Sequence, residues 1–256
     1  MTPPRVIGHR GAASRAPENT LASLAMAKEL GAQWVEFDVQ ITCDDCPFLL
    51  HDARLERTTN GRGIAADLDW ARIAKLDAGA WFATAFRGER VPRLAEALAL
   101  LSRLELGAVI EIKSEPGAGP RTMRATLAAL DGGAPHAYIL SSFDEAALAV
   151  AAQAAPGLAR ALIVKAVPPD WRERVERLGV SALHADHRAL DAATVAAVAS
   201  RLPLRAYTVN APDRARLLLD WGVSAVFSDC PDVLISALSH HGGELIDAGS
   251  QGSIAK

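Results

Sequence analysis

The chain carries little that would tie it to a membrane, a nucleic acid or an oxidising compartment. No apolar run approaches the roughly 20 residues that span a bilayer. Met1-Thr2-Pro3-Pro4 leads almost directly into Val6-Ile7, without the apolar core of a signal peptide. Three cysteines in 256 residues, an odd and small number, give no disulfide framework. The expected location is the cytoplasm, with no stable membrane association. A basic excess is also missing: the net charge is -3, whereas a nucleic-acid surface would show a basic stripe. No internal repeat is visible beyond an alternation of strand and helix candidates.

Two site signatures are absent near the N-terminus. Gly8-His9-Arg10-Gly11 follows the first strand candidate but does not read G-x-G-x-x-G, which counts against an open dinucleotide-binding sheet. Nor does it supply the His-x-His of two-metal barrel hydrolases, because Arg10 is no metal ligand.

What is present is ample apolar content, 50% of residues, in a regular rhythm. Strand candidates fall at 5–8, 34–41, 108–112, 138–141, 161–164, 180–183, 204–209 and 225–227. Helix-length segments such as 20–30, 94–104, 121–130 and 144–153 lie between them. Eight strands each followed by a helix predict an α/β fold of the closed (β/α)8 TIM-barrel type, for which about 250 residues suffice. Residues 53–91 break the rhythm with a Thr/Gly-rich turn, a short helix near 68–76 and aromatics at Trp81-Phe82. They read as a small ordered insertion after the second strand, over the barrel mouth. The expected organisation is one catalytic domain over 1–240 and a flexible Gly-rich tail over 241–256.

Active sites in this fold sit where strands end, and charged residues collect there. His9-Arg10 closes strand one. Glu36 and Asp38 share one face of strand two, and Glu111 and Lys113 share one face of strand three, because side chains two apart on a strand point the same way. Three carboxylates in a partly desolvated lumen repel one another and need compensation. A hard divalent cation with oxygen ligands, Mg²⁺ or Ca²⁺, is one answer. Plain ion pairs, Glu36 with Arg10 and Glu111 with Lys113, are the other. His9 and His51 favour the first, since two imidazoles beside a metal-held anion suit general acid and base work near neutral pH. Arg10 and Lys113 add fixed positive charge suited to a phosphate.

The sequence resembles the glycerophosphodiester phosphodiesterase family, in particular its short cytoplasmic bacterial members. The resemblance rests on His9-Arg10-Gly11, Pro17-Glu18-Asn19-Thr20, Glu36-Phe37-Asp38, His51-Asp52, Leu55-Glu56-Arg57-Thr58-Thr59, Pro92-Arg93-Leu94-Ala95-Glu96, Glu111-Ile112-Lys113, Ser142-Phe143, Tyr207-Thr208-Val209-Asn210 and Ser228-Asp229-Cys230-Pro231, in family order. It implies metal-dependent hydrolysis of a small-molecule glycerophosphodiester to glycerol 3-phosphate and an alcohol. It further implies Glu36, Asp38 and Glu111 as metal ligands, His9 and His51 as the catalytic acid/base pair, and Arg10 and Lys113 as phosphate contacts. Glu18 and Asn19 would shape the first loop and cap the first helix. Asp45-Cys46 replaces a common Asp-Gly, and Tyr207 stands where Trp is common, so specificity is the property these departures touch. The alternatives are lysophospholipase D-type hydrolysis of lysophospholipids and a non-catalytic phosphometabolite-binding barrel. Whether copies of the chain associate as a homo-oligomer stays open.

Other residues divide between two readings. Cys43-Asp44-Asp45-Cys46 has C-x-x-C spacing but lacks partners for a zinc site, so it reads as a turn. His184 is either a substrate contact or a polar strand residue. Phe143 and Tyr207 are expected as site walls. Trp70, Trp81, Phe82 and Phe86 are expected to hold the insertion in place rather than touch substrate. His136, His240 and His241 are expected to be uninvolved.

Overall fold

The computed structural model describes residues 3–113, 117–130 and 138–239. Eight parallel strands close on themselves: β1 (Val6–Gly8), β2 (Trp34–Ile41), β4 (Gly107–Ile112), β5 (Tyr138–Ser142), β6 (Ala159–Val164), β7 (Ala182–Asp186), β8 (Leu204–Tyr207) and β9 (Ala225–Ser228). Each pairs with the next, and β1 pairs with both β2 and β9, so no edge of the barrel is left open. Helices α1 (Leu21–Glu29), α3 (Leu94–Leu104), α4 (Gly119–Leu130), α5 (Glu145–Ala154), α6 (Trp171–Leu178), α7 (Ala192–Ala199), α8 (Pro212–Trp221) and α9 (Pro231–Ser239) form the outer ring. This is a (β/α)8 TIM barrel.

The two-residue period of β2 shows how sequence places the site. Val35, Phe37 and Val39 pack outward against Leu24 of α1, Leu98 and Leu101 of α3 and Met123 of α4. Trp34 joins Ile7, Val109, Ile139 and Phe227 in the lumen. Glu36 and Asp38 continue that inward row toward the strand's C-terminal end. Helix packing on one face therefore aims the carboxylates inward on the other.

Several boundaries differ from the sequence expectation. The sixth barrel strand, β7, begins at Ala182 rather than Val180, because Gly179 ends α6 in a left-handed turn and Val180 N–H still bonds the Val175 carbonyl. Thr20, not Asn19, caps α1: its hydroxyl accepts from Ser23 N–H. An unanticipated strand, β3 (Pro47–Leu49), folds back antiparallel on Val39–Ile41 of β2, beyond the end of short β1. Asp45 makes this hairpin turn with φ 63°, a conformation Asp tolerates. The seam to β3 carries on into residues 53–91, where Leu55, Ala65, Ile73, Ala78 and Val91 join Phe48 and Leu50 in a separate apolar cluster. The short helix there is α2 (Trp70–Ile73). His136, His240, His241 and the 241–256 tail lie outside the described residues.

The first βα turn is unusually tight. Arg10 (φ 51°) and Gly11 (φ 87°) are both left-handed, and a Cβ on Gly11 would stand 2.4–2.6 Å from Oγ, C and O of Ser23. Gly157, by contrast, has open space and no positive φ. Gly11→Ala is expected to cost about 2–4 kcal/mol in urea unfolding from clash and strain together, while Gly157→Ala changes stability by less than about 0.5 kcal/mol. Equal midpoints for the two variants would contradict the turn's role.

Candidate active site

The inward rows of β2 and β4 meet at the C-terminal end of the barrel. One oxygen from each of Glu36, Asp38 and Glu111 lies within 4.8 Å of the others. Asp38 is 1% exposed and saturated with partners: Asn19 Nδ2 donates to Oδ2 at 2.8 Å, Lys113 Nζ lies 3.2 Å from Oδ1, and Arg10 Nε lies 3.3 Å from Oδ2. Burial alone would raise its pKa, but Lys113 and Arg10 hold the carboxyl far below the usual range. Glu36 is the opposite case. Burial, then repulsion from Asp38 and Glu111, pushes it well above the ordinary value. Its Oε2 accepts Arg10 N–H at 3.0 Å, whereas Oε1 is buried without a partner. Burial and Asp38 also raise Glu111, although Lys113 Nζ donates to it at 2.7 Å. The Glu111–Lys113 ion pair is thus present. Arg10's guanidinium, however, goes to Glu18 and Asp38, and Glu36 receives only a backbone N–H.

An orphaned buried oxygen, repelled by two neighbouring carboxylates, is what a hard cation would relieve. The donor set, all carboxylate oxygen, fits Mg²⁺ or Ca²⁺ better than a soft metal.

The two histidines face this cluster, each backed by an aspartate. His9 Nδ1 lies 2.7 Å from Asp229 Oδ1, and its Nε2 is 3.9 Å from Glu36 Oε2. His51 Nδ1 lies 2.6 Å from Asp52 Oδ1. An aspartate takes the proton-bearing Nδ1 and leaves Nε2 for the site. Asn210 steadies Asp229, donating through Nδ2 to Oδ2 at 2.7 Å and accepting from Asp229 N–H at 2.9 Å. Burial lowers the pKa of His51, against the opposing pull of Asp38.

A second charged layer ties the insertion to the barrel. Arg57 donates to Asp52 at 2.5 and 3.0 Å and to Glu18 at 2.7 and 2.8 Å. Glu18 in turn accepts from Arg10 at 2.7 Å. One guanidinium therefore positions both the carboxylate behind His51 and the carboxylate behind Arg10.

These groups open on a cavity of about 430 Å³. Its lining includes His9, Arg10, Glu36, His51, Glu111 and Lys113 together with Phe143, Tyr207 and His184. Phe143 is 45% exposed and meets the Tyr207 ring edge-on at 6.2 Å. Tyr207 Oη donates to the Val164 carbonyl, so the ring and not the hydroxyl is offered. His184 is mid-strand in β7, beneath the rim. Trp70, Trp81, Phe82 and Phe86 line no part of this cavity: Phe82 stacks edge-on with Trp81 and Phe86, and Arg93 covers Trp70.

The family model for the glycerophosphoryl diester phosphodiesterase family matches residues 9–233. The chain belongs to this family. A glycerophosphodiester phosphodiesterase of Bacillus subtilis is 33% identical over 255 residues, 91% of this chain and 86% of that one. One from Caldanaerobacter subterraneus subsp. tengcongensis is 31% identical over 93% of this chain and 98% of its own. A shorter match, 44% over 111 residues, spans under half of another Bacillus subtilis protein. The structure of an Oleispira antarctica phosphodiesterase in complex with sn-glycerol-3-phosphate superposes with a TM-score of 0.90 at 36% identity, covering 92% of this chain and 97% of that one. Membership makes the chain a phosphoric diester hydrolase of the glycerophosphodiester phosphodiesterase class.

Sequence reasoning within this phosphodiesterase missed Asn19, Asp229, Asn210 and the double role of Arg57. Each sits in a motif named above, but its partners belong to other motifs, from 5 to 220 residues away, so spacing within a motif gave no signal. Arg57, followed by His51, holds Asp52 down to about 2. That depressed value favours the fold above about pH 4 and loses its effect as pH falls through about 2. In Arg57→Gln the Asp52 carboxyl is expected to titrate nearer 3.8 by carbon-13 NMR, with turnover reduced about tenfold or more as His51 and Arg10 lose their support. An unmoved Asp52 with full turnover would contradict the coupling.

Proposed function

We propose that the site hydrolyses glycerophosphodiesters to glycerol 3-phosphate and an alcohol, using one divalent cation and the His9/His51 pair. The observation that carries this reading is the convergence of a three-carboxylate cluster with two separate His–Asp pairs, of which His9, His51, Glu36 and Glu111 line one cavity. A barrel that only bound phosphorylated metabolites would need the basic groups but not two oriented imidazoles.

Glu36, Asp38 and Glu111 would hold the cation, which supplies Lewis-acid stabilisation of phosphoryl charge and a fixed orientation for the diester. Arg10 and Lys113 face the same cavity and add positive charge for the phosphoryl oxygens. Asp229 and Asp52 fix Nδ1 of each histidine, so each Nε2 can take or give one proton. One histidine accepts the proton of the nucleophile, either a water or a glycerol hydroxyl whose cyclic diester a water then opens, and the other protonates the departing alkoxide, a poor leaving group without it. Tyr207, Phe143 and His184 line the same cavity and would contact the organic parts of the substrate. Sn-glycerol-3-phosphate bound to the Oleispira antarctica relative supports a small-molecule substrate of this kind. Among the described residues no helix is long and apolar enough to cross a membrane.

Exhaustive chelation is expected to abolish release of glycerol 3-phosphate from glycerophosphoethanolamine, and Mg²⁺ or Ca²⁺ to restore it. His9→Ala and His51→Ala should each lower kcat by about 10²–10⁴ with an unchanged circular dichroism spectrum. Full turnover after chelation, or in either histidine variant, would overturn the reading.

A further inference from the structure

One charged lumen residue takes no part in this machinery. Arg205, on β8, is 4% exposed, and no carboxylate among the described residues forms an ion pair with it. Its Nε is buried without a partner, and burial pushes its pKa down to about 10, still charged at neutral pH. Its one side-chain hydrogen bond runs from an Nη to Nε2 of His184 at 3.1 Å, across paired strands.

That contact dictates the state of the imidazole. A guanidinium has five N–H donors and no acceptor, so the nitrogen it meets must carry a lone pair. His184 Nε2 is then unprotonated, and a neutral ring bears its proton on Nδ1. Burial and the Arg205 charge both oppose protonation of the ring. Arg205 is the charged group whose field reaches it, and the Phe227 ring from β9 is centred 4.9 Å away. His184 lines the cavity, and with Nε2 occupied, Nδ1 is the ring nitrogen left to it.

We infer that Arg205 locks His184 as the Nδ1–H tautomer, making it a permanently neutral hydrogen-bond donor to an oxygen of the substrate. Resting on the proposed hydrolysis, this assigns His184 as a specificity residue and Arg205 as a positioning residue beneath it. A fixed donor above a buried cation welcomes a hydroxyl or phosphoryl oxygen and repels an ammonium group at that spot.

Nitrogen-15 NMR of the imidazoles tests the first half without turnover. The His184 signals are expected to show protonated Nδ1 and bare Nε2 throughout roughly pH 5–9, the range in which free histidine titrates. An Nε2–H or imidazolium signal in that range would overturn the lock. Arg205→Met should release it, giving a tautomer mixture or a titrating ring. For the second half, His184→Asn keeps an N–H near the Nδ1 position, while His184→Gln moves it to the Nε2 position. With Mg²⁺ present, sn-glycerol 3-phosphate and three diesters (choline, ethanolamine and glycerol head groups) serve as probes. KM should rise about tenfold or more in the Gln variant and less than threefold in the Asn variant, with kcat less affected than KM. A loss shared by all probes places the acceptor on the glycerophosphate; a loss confined to one diester places it on that alcohol. Equal binding and KM in both variants and wild type would overturn the donor role. A wild-type enzyme inactive on all three diesters would instead sink the proposed function, leaving the tautomer result to stand on its own.

Discussion

Like charges in a confined lumen are the constraint around which the rest of this molecule is arranged. Glu36, Asp38 and Glu111 converge within 4.8 Å where the barrel excludes most water. Undiluted by solvent, their repulsion would be worth several kcal/mol. The protein meets it unevenly. Asp38 is neutralised by Lys113, Arg10 and Asn19 and stays ionised, whereas Glu36 is left with one backbone donor and a raised pKa. The asymmetry leaves one carboxylate under-compensated and poised for a cation.

Positive charge follows the same logic outward. Arg10 is shared between Asp38 and Glu18; Glu18 is shared between Arg10 and Arg57; Arg57 is shared between Glu18 and Asp52; and Asp52 orients His51. An irregular segment after the second strand is thereby wired to the cluster through four consecutive ionic contacts. The network is partly buried, so its members lose more when one is removed than an exposed pair would.

How much of this could be read from the chain depended on the range of the interaction concerned. The inward row Trp34, Glu36, Asp38 was legible because a two-residue period is local. So was α3, found at its expected bounds, with Glu96 accepting Arg93 N–H at its start. The β2–β3 hairpin was not legible: Pro47–Leu49 is too short to show a period, and Asp45-Cys46 lacks a glycine turn signal. Val180 looked like strand because it is β-branched, yet the left-handed cap at Gly179 claims its N–H for α6. Asn19 looked like a helix cap by composition; in place, its backbone is left-handed and both ends of its amide go to Asp38. Asp229 and Asn210 lie some 200 residues from His9, and only closure of the barrel through the β1–β9 pairing makes them neighbours.

Relief of the electrostatic pressure on Glu36 by a divalent cation would have a direct calorimetric signature. The Glu36 carboxyl, raised well above its ordinary value by burial and by Asp38 and Glu111, holds its proton more tightly than a free glutamate, and a bound cation must compete with that proton. Titrating Mg²⁺ or Ca²⁺ into the protein in buffers of different ionisation enthalpy should report proton release coupled to cation binding. Glu36→Gln should abolish that release and weaken binding. Cation binding with no proton release in the wild-type protein, or release undiminished in the variant, would contradict the account.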